Sequence, residues 1–140
     1  MKKAIVTGGA GFVGSNLVDR LIDQGWSVTI IDDFSTGKRE NVNTVPIKDL
    51  TVFMEGVDIV FHLAALARVQ PSIEDPIPYN EVNIKGTLNV LLAAHRAGVK
   101  RVVYSASSSA YGETTILPTP ETAPTNPLSP YGLQKYVGEQ

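Results

Sequence analysis

Apolar residues in this chain form short unbroken runs, separated by stretches with helical spacing. The runs are Ala4–Thr7, Ser27–Ile31, Val57–Leu63 and Arg101–Ser105. Strands that are apolar in succession, rather than alternately, have both faces covered, so these runs predict a parallel sheet between helices. Phe12, Val13, Leu17, Val18, Leu21 and Ile22 recur with the period of an amphipathic helix, which Gly25 ends. A long helix is predicted from Tyr79 to Ala97, opening after Pro76 and Pro78 and stopping at Gly98, a good C′ residue. A last helix starts near Tyr131 and is still running at Gln140. Between Ser35 and Gly56 the pattern is weaker. Thr44–Ile47 reads as a short strand at an edge, because Pro46 cannot donate to a ladder, and Asp49–Glu55 reads as a helix of two turns. Residues 113–130 are rich in proline, lack a period and read as an ordered loop. The expected fold is α/β, a doubly wound parallel sheet of about five strands with right-handed crossovers.

Composition narrows the function. The chain has 140 residues, one domain's worth, with 43% hydrophobic and 19% charged residues, which supports a packed core rather than disorder. It has no cysteine, which excludes a disulfide scaffold, a thiolate zinc site and thiol chemistry. A net charge of −2 argues against nucleic acid or a polybasic membrane contact as partner. No stretch approaches the ~20 apolar residues of a membrane span. Lys2 and Lys3 precede an apolar run too short for a signal peptide, so a cytoplasmic location is expected. No metal site is expected.

The first strand-to-helix turn carries Gly8-x-x-Gly11-x-x-Gly14. Glycines there allow a tight turn, close approach of backbone amides to an anion, and close helix packing, as in Rossmann-like dinucleotide sites. Any strand-to-helix turn favours glycine, so the motif gains force from Asp32. That residue ends the second strand, close to the ~20-residue spacing at which a carboxylate takes the adenosine ribose hydroxyls. A carboxylate there also repels a 2′-phosphate and favours NAD over NADP. The bland alternative is that Asp32 and Asp33 only form a turn before Gly37.

Tyr131 and Lys135 lie one turn apart on the last predicted helix and share a face. Tyrosine has an ordinary pKa near ~10, and a neighbouring ammonium favours its phenolate. Such a tyrosinate can take a proton from a sugar hydroxyl while hydride leaves the same carbon. The pair alone also fits an amphipathic helix with a snorkelling lysine. Ser105, Ser107, Ser108 and Ser109 follow a strand end, where ligands of parallel sheets bind, and could bond a substrate oxygen.

Taken in order, these motifs resemble a known family. Together with His62-Leu63-Ala64-Ala65, Asn83-x-x-Gly86-Thr87 and Tyr111-Gly112, they are similar to the extended short-chain dehydrogenase/reductases. The likeness is to their NAD-dependent nucleotide-sugar epimerase/dehydratase group, nearest the UDP-glucose and UDP-N-acetylglucosamine 4-epimerases. It implies cofactor contacts at Gly8, Gly11, Phe12, Val13 and Gly14, with the amides of Phe12 and Val13 on the pyrophosphate and Asp32 on the ribose. It places Asp33, Phe34, Ser35, Thr36 and Gly37 along the adenosine, and Leu63, Ala64, Ala65, Leu66 and Ala67 beside the cofactor. Asn83 would lie near the nicotinamide half. Ser107, Tyr131 and Lys135 would form the catalytic set, the last two also touching NAD. His62 is expected to be a satisfied core residue and His95 a helix-end cation. Dehydratases of the group carry Asp-Glu where this chain has Ser108-Ser109, which favours an epimerase acting on a UDP-hexose.

The chain departs from the family pattern in three places. Ser35–Gly56 is shorter than its counterpart, with Asp49-Leu50 the nearest substitute for the acidic-aliphatic pair that meets adenine. Gln134 stands where serine is common, with little consequence expected. The chain stops inside the catalytic helix, so the expected organisation is one NAD(P)-binding domain over residues 1–140 with the C-terminal substrate domain missing. Three functions follow. The chain is the cofactor domain of a nucleotide-sugar 4-epimerase, a non-catalytic NAD-binding module or subunit, or a remnant that keeps the fold without the affinity. A homo-oligomer or a completing partner chain is expected, through the Tyr79–Ala97 and Tyr131–Gln140 helices.

Overall fold

The computed structural model describes residues 1–38 and 50–140. These form two compact units, Met1–Ala64 with Leu88–Ser105, and Ala65–Thr87 with Ala106–Gln140.

The first unit holds the sheet. Its strands are β1 (Lys3–Thr7), β2 (Ser27–Ile31), β3 (Ile59–His62) and β4 (Arg101–Tyr104), all parallel, in the order β2-β1-β3-β4. Each was expected from its apolar run, with slightly wider limits for β3 and β4. The expected strand Thr44–Ile47 lies outside the described residues. Helix α1 (Phe12–Asp23) links β1 to β2, and Gly25, at φ +79, reverses the chain after it as expected. α2 (Leu50–Met54) precedes β3, and α5 (Thr87–Arg96) precedes β4.

Period-two alternation divides the core between the two faces of the sheet. Ala4 and Val6 pack with Val18 and Leu21 of α1 on one face. Ile5 and Val60 pack with Met54 of α2 and Val90, Ala93 and Ala94 of α5 on the other. Ile5, Val6, Val60 and Met54 are fully buried. This doubly wound arrangement puts a topological switch between β1 and β3, since the chain leaves β1 toward β2 on one side and reaches β3 on the other. Asp58 fastens the amino ends of the strands. It accepts from the Lys3 amide at 3.0 Å and from Lys100 Nζ at 2.7 Å, and these donors hold its carboxyl below the usual range, Lys100 most strongly.

The second unit is built of short helices. α3 (Val69–Glu74) and α4 (Pro76–Asn80) are followed by a π-helical segment, Glu81–Gly86. A 3-10 turn covers Ser108–Ala110, and α6 spans Pro130–Glu139. The sequence pattern predicts one uninterrupted helix from Tyr79 to Ala97. The structure corrects this: the helical path opens at Pro76 and passes through the π segment before α5. The reason is Asn83, whose side chain is engaged by residues distant in sequence, as described below. α3 was not foreseen, because six residues containing Pro71 carry no readable period. Residues 113–129 hold no regular element, in line with the expected loop, and the Asn126 amide ties that loop to the Ala110 carbonyl at 3.0 Å.

Among the described residues no helix is long and apolar enough to cross a membrane.

Candidate functional site

In the first unit the expected cofactor residues gather at the carboxyl ends of β1, β2 and β3. β1 runs into Gly8, whose φ of +71 suits glycine and whose amide bonds the Ile31 carbonyl at 2.8 Å. A Cβ on Gly8 would lie 2.8 Å from the Ala64 amide nitrogen, so the turn after β1 closes against the residues following β3. Gly14 sits in the first turn of α1, and a Cβ there would collide with the Gly8 carbonyl oxygen. That is the close helix packing the sequence motif calls for. Gly11 is the N-cap of α1 and supplies no side-chain bond to the first turn. Phe12 is 86% exposed and Val13 64%. A helix N-terminus carries partial positive charge on its unpaired amides, so the start of α1 presents donors suited to an anion.

Asp32 does more than the sequence suggests. Its Oδ2 accepts from the Ala10 amide at 2.9 Å and its Oδ1 from the Phe34 amide at 2.8 Å. The carboxylate therefore pins the glycine loop to the turn after β2. An ionised carboxylate offers about four lone-pair sites, so capacity remains for two ribose hydroxyls. Phe34 takes a left-handed φ of 61, held by that same bond. Asp33 Oδ1 accepts from the Ser35 amide and hydroxyl at 2.9 and 2.7 Å, an Asx turn. A Cβ on Gly37 would come within 2.8 Å of Ala10 Cβ, and the Lys38 amide bonds the Ala10 carbonyl at 3.2 Å. Residues 32–38 thus wrap the loop, with Ser35 and Thr36 exposed. Beneath the loop, Thr7 Oγ1 and His62 Nδ1 lie 2.6 Å apart, and Thr7 Oγ1 accepts from the Ala64 amide at 3.2 Å. His62 is buried and hydrogen-bonded, the satisfied core histidine that was expected.

The residues present fit a dinucleotide. The start of α1 has donors without a side-chain cap, the loop has no Cβ to block approach, and a partly occupied carboxylate ends β2.

In the second unit the expected residues form a separate set. The Leu66 amide donates to Asn83 Oδ1 at 2.9 Å, and Asn83 Nδ2 donates back to the Leu66 carbonyl at 3.0 Å. Asn83 is 1% exposed and also donates to Gln134 Oε1 at 3.2 Å. The Tyr79 hydroxyl donates to the Ala67 carbonyl at 2.9 Å. The next residue, Arg68, has φ 93, a strained conformation for a residue with a Cβ. So Asn83 orders the main chain of the Leu66 segment rather than merely the helix that carries it.

α6 carries Tyr131 and Lys135, as the spacing predicted. Ser129 caps it, its Oγ accepting from the Gly132 amide at 3.0 Å, and Pro130 follows at a position that needs no donor. The Tyr131 amide donates to the fully buried Ser72 Oγ at 3.1 Å, and Ser72 donates to the Val69 carbonyl at 2.6 Å. Tyr131 itself is half-buried. Lys135 is 3% exposed, and that burial lowers its pKa to about 8 against a smaller opposing effect of Glu139. Ser107 opens the 3-10 turn and its Oγ accepts from the Ser109 amide at 3.2 Å. α6 comes close to that turn at Gly132, where a Cβ would lie 2.7 Å from the Ser109 carbonyl oxygen.

One residue of this set went unnoticed in the sequence and another was given too little weight. Ser72 has no motif around it. Gln134 was expected to matter little, yet it is 4% exposed and takes the second Asn83 N–H. That expectation is corrected: a buried donor requires an acceptor, and Gln134 supplies it. Among the described residues no three His, Asp or Glu side chains gather as a metal set would.

The comparisons with known proteins agree with this geometry. Residues 4–140 match the model of the NAD dependent epimerase/dehydratase family. A putative UDP-glucose 4-epimerase of Methanocaldococcus jannaschii is 41% identical over 97% of this chain and 48% of its own length. A solved UDP-N-acetylglucosamine 4-epimerase from Methanobrevibacter ruminantium, in complex with UDP-N-acetylmuramic acid, superposes with a TM-score of 0.92 at 41% identity, over 99% of this chain and 48% of that one. The UDP-glucose 4-epimerase of Brucella ovis, in complex with NAD, gives a TM-score of 0.94 at 34% identity, over 99% and 46%. The chain therefore spans about half the length of the curated relatives it matches. From a matched family model, a parallel sheet and the glycine loop at its switch point, the chain belongs to the NAD-dependent epimerase/dehydratase family.

Proposed function

We propose that this chain is the cofactor-binding portion of an NAD-dependent UDP-hexose 4-epimerase, acting by proton and hydride transfer at the sugar C4. The observation that carries the reading is Lys135, a buried ammonium one turn from Tyr131 on a capped helix. Burying a lysine costs free energy, and the cost is explained where the charge is needed.

In this reading NAD, when bound, supplies the hydride acceptor for C4. The amides of Phe12 and Val13 hold its pyrophosphate, and Asp32 holds the ribose while keeping the glycine loop in place. Asp33, Phe34, Ser35, Thr36 and Gly37 line the adenosine, and Leu63, Ala64, Ala65 and Leu66 flank the cofactor further along. Tyr131 Oη takes the proton of the C4 hydroxyl. Lys135 favours the Tyr131 phenolate that accepts this proton, while its own amine stays protonated, which at neutral pH it does, since its pKa remains near 8. Ser107 Oγ donates to the substrate oxygen as its carbon becomes a carbonyl. Once the sugar has turned over, hydride returns to the other face of C4 and Tyr131 gives the proton back to its oxygen, so the net change is an inverted C4 without net redox.

A chimera tests this. Residues 1–140 joined to the C-terminal half of the Methanocaldococcus relative should interconvert UDP-galactose and UDP-glucose, and Tyr131→Phe should abolish the conversion. A folded chimera that binds NAD and turns nothing over contradicts the reading.

A second reading, a non-catalytic NAD-binding subunit completed by a partner, is favoured by uncovered apolar side chains in the second unit. Ile77 is 72% exposed, Leu133 50% and Val137 42%. The 140-residue chain alone should give no measurable conversion, and turnover by it would remove this reading.

A further inference from the structure

Asn83 is a buried polar side chain of the second unit that makes three hydrogen bonds. Its amide offers two N–H donors and one carbonyl. The carbonyl and one N–H are taken by the two main-chain groups of Leu66, an arrangement that mimics one rung of a β ladder. Because Leu66 presents a donor and an acceptor together, it fixes which end of the Asn83 amide is oxygen. The second N–H then points to Gln134, which must present its carbonyl, Oε1. The Asn83 main chain is held as well, its carbonyl accepting from the Thr87 hydroxyl at 2.7 Å. The π-helical segment around Asn83 belongs to the same arrangement, since π turns displace a residue from its α-helical place and are frequent at functional sites.

Gln134 is the other end. It stands three residues after Tyr131 and directly before Lys135, and it is buried together with Lys135. A rotation of α6 that moved Tyr131 would have to break the Gln134–Asn83 bond, and through Asn83 it would release Leu66.

We propose that Gln134 is a positioning residue: with Asn83 it forms an amide clasp that makes the Leu66 segment and the Tyr131–Lys135 face of α6 one rigid body. The clasp rests on the function proposed above only in taking Leu66 as a neighbour of the cofactor. Its role is mechanical, to keep the tyrosine and lysine at a fixed offset from the segment beside the nicotinamide half of NAD.

Site-resolved amide exchange of the 140-residue chain tests it without any activity measurement. Gln134→Met keeps the volume and removes the acceptor. It should speed exchange of the Leu66 amide at least tenfold, while the Lys135 amide, inside α6, changes less than twofold. Gln134→Glu restores an acceptor oxygen and should return Leu66 to the wild-type rate. If Gln134→Met fails to fold, Gln134→Asn withdraws the carbonyl by one methylene and should give the same selective pattern. Equal acceleration at Leu66 and Lys135, or none at Leu66, would overturn the clasp. A parallel NAD titration separates the two claims. Weaker binding in Gln134→Met than in wild type is expected, and unchanged binding counts against a role in positioning. Wild-type protein that binds no NAD counts against the proposed function, while the exchange pattern still decides the clasp.

Discussion

Helix α1 begins after Gly11, which has no side chain to offer its first-turn amides, whereas α6 begins after Ser129, whose Oγ takes the Gly132 amide. The rest of α6's first turn is closed too: Pro130 has no amide hydrogen, Tyr131 donates to Ser72 and Leu133 to the Ser129 carbonyl. Both helices carry a glycine in the first turn, pressed against a backbone carbonyl, Gly8 for α1 and Ser109 for α6. The two starts share their packing and differ in their donors. An end with free amides is suited to an anion, and an end with satisfied amides serves as a stiff mount for side chains. The difference supports the proposed roles, the pyrophosphate at α1 and the proton chemistry on the side chains of α6.

The packing half of this comparison should give the largest effect. Gly14→Ala places a methyl on the Gly8 carbonyl and is expected to cost about 3 kcal/mol, with NAD binding lost. Gly132→Ala, with its contact at 2.7 Å, should cost about 2 kcal/mol and leave NAD binding measurable. Chemical denaturation with a parallel NAD titration checks both, and equal loss of binding in the two variants would blur the distinction.

Lys135 sharpens the other half. Its folded pKa of about 8 lies below its ordinary value of 10.5, so the folded protein binds the proton less tightly than the unfolded chain. The burial penalty is full below about pH 8 and is relieved as pH rises toward 10.5. Wild type should therefore gain stability relative to Lys135→Met across that window, by up to about 3 kcal/mol. Parallel denaturation curves at pH 7 and pH 10 measure it, and a constant difference would mean that the ammonium is not penalised by burial.

The smallest effects come from exchanging the two caps. Ser129→Ala should cost about 1 kcal/mol with no change in NAD affinity. Gly11→Asp should do the reverse at α1. The new carboxylate caps the helix and adds about 0.5 kcal/mol of stability, while it repels the pyrophosphate and weakens NAD at least tenfold.

Much of this was legible in the sequence, for identifiable reasons. Both-face burial makes strands such as Ala4–Thr7 continuous apolar runs, and α1 shows its period and its terminating Gly25. Glycine spacing and the Tyr131–Lys135 pair are local, so they survive in one dimension. The features that escaped depend on long-range partners. Ser72 meets Tyr131 across 59 residues, and Asn83 meets Gln134 across 51. The π segment is the same effect on the backbone: Asn83 answers to Leu66 and Gln134, so local periodicity cannot report it. Asp32 was read as a ligand for ribose, but its second task, holding Ala10, needs the fold to bring them together.

The difference between the two helix starts is most directly tested by titrating the isotope-labelled chain with ADP, the adenosine and pyrophosphate end of NAD, and following each backbone amide by NMR. The amides of Phe12, Val13 and Gly14 should shift in a saturable way, while those of Tyr131, Gly132 and Leu133 stay in place. Shifts confined to α6, or none at α1 at saturating ADP, would contradict the assignment of the anion to α1.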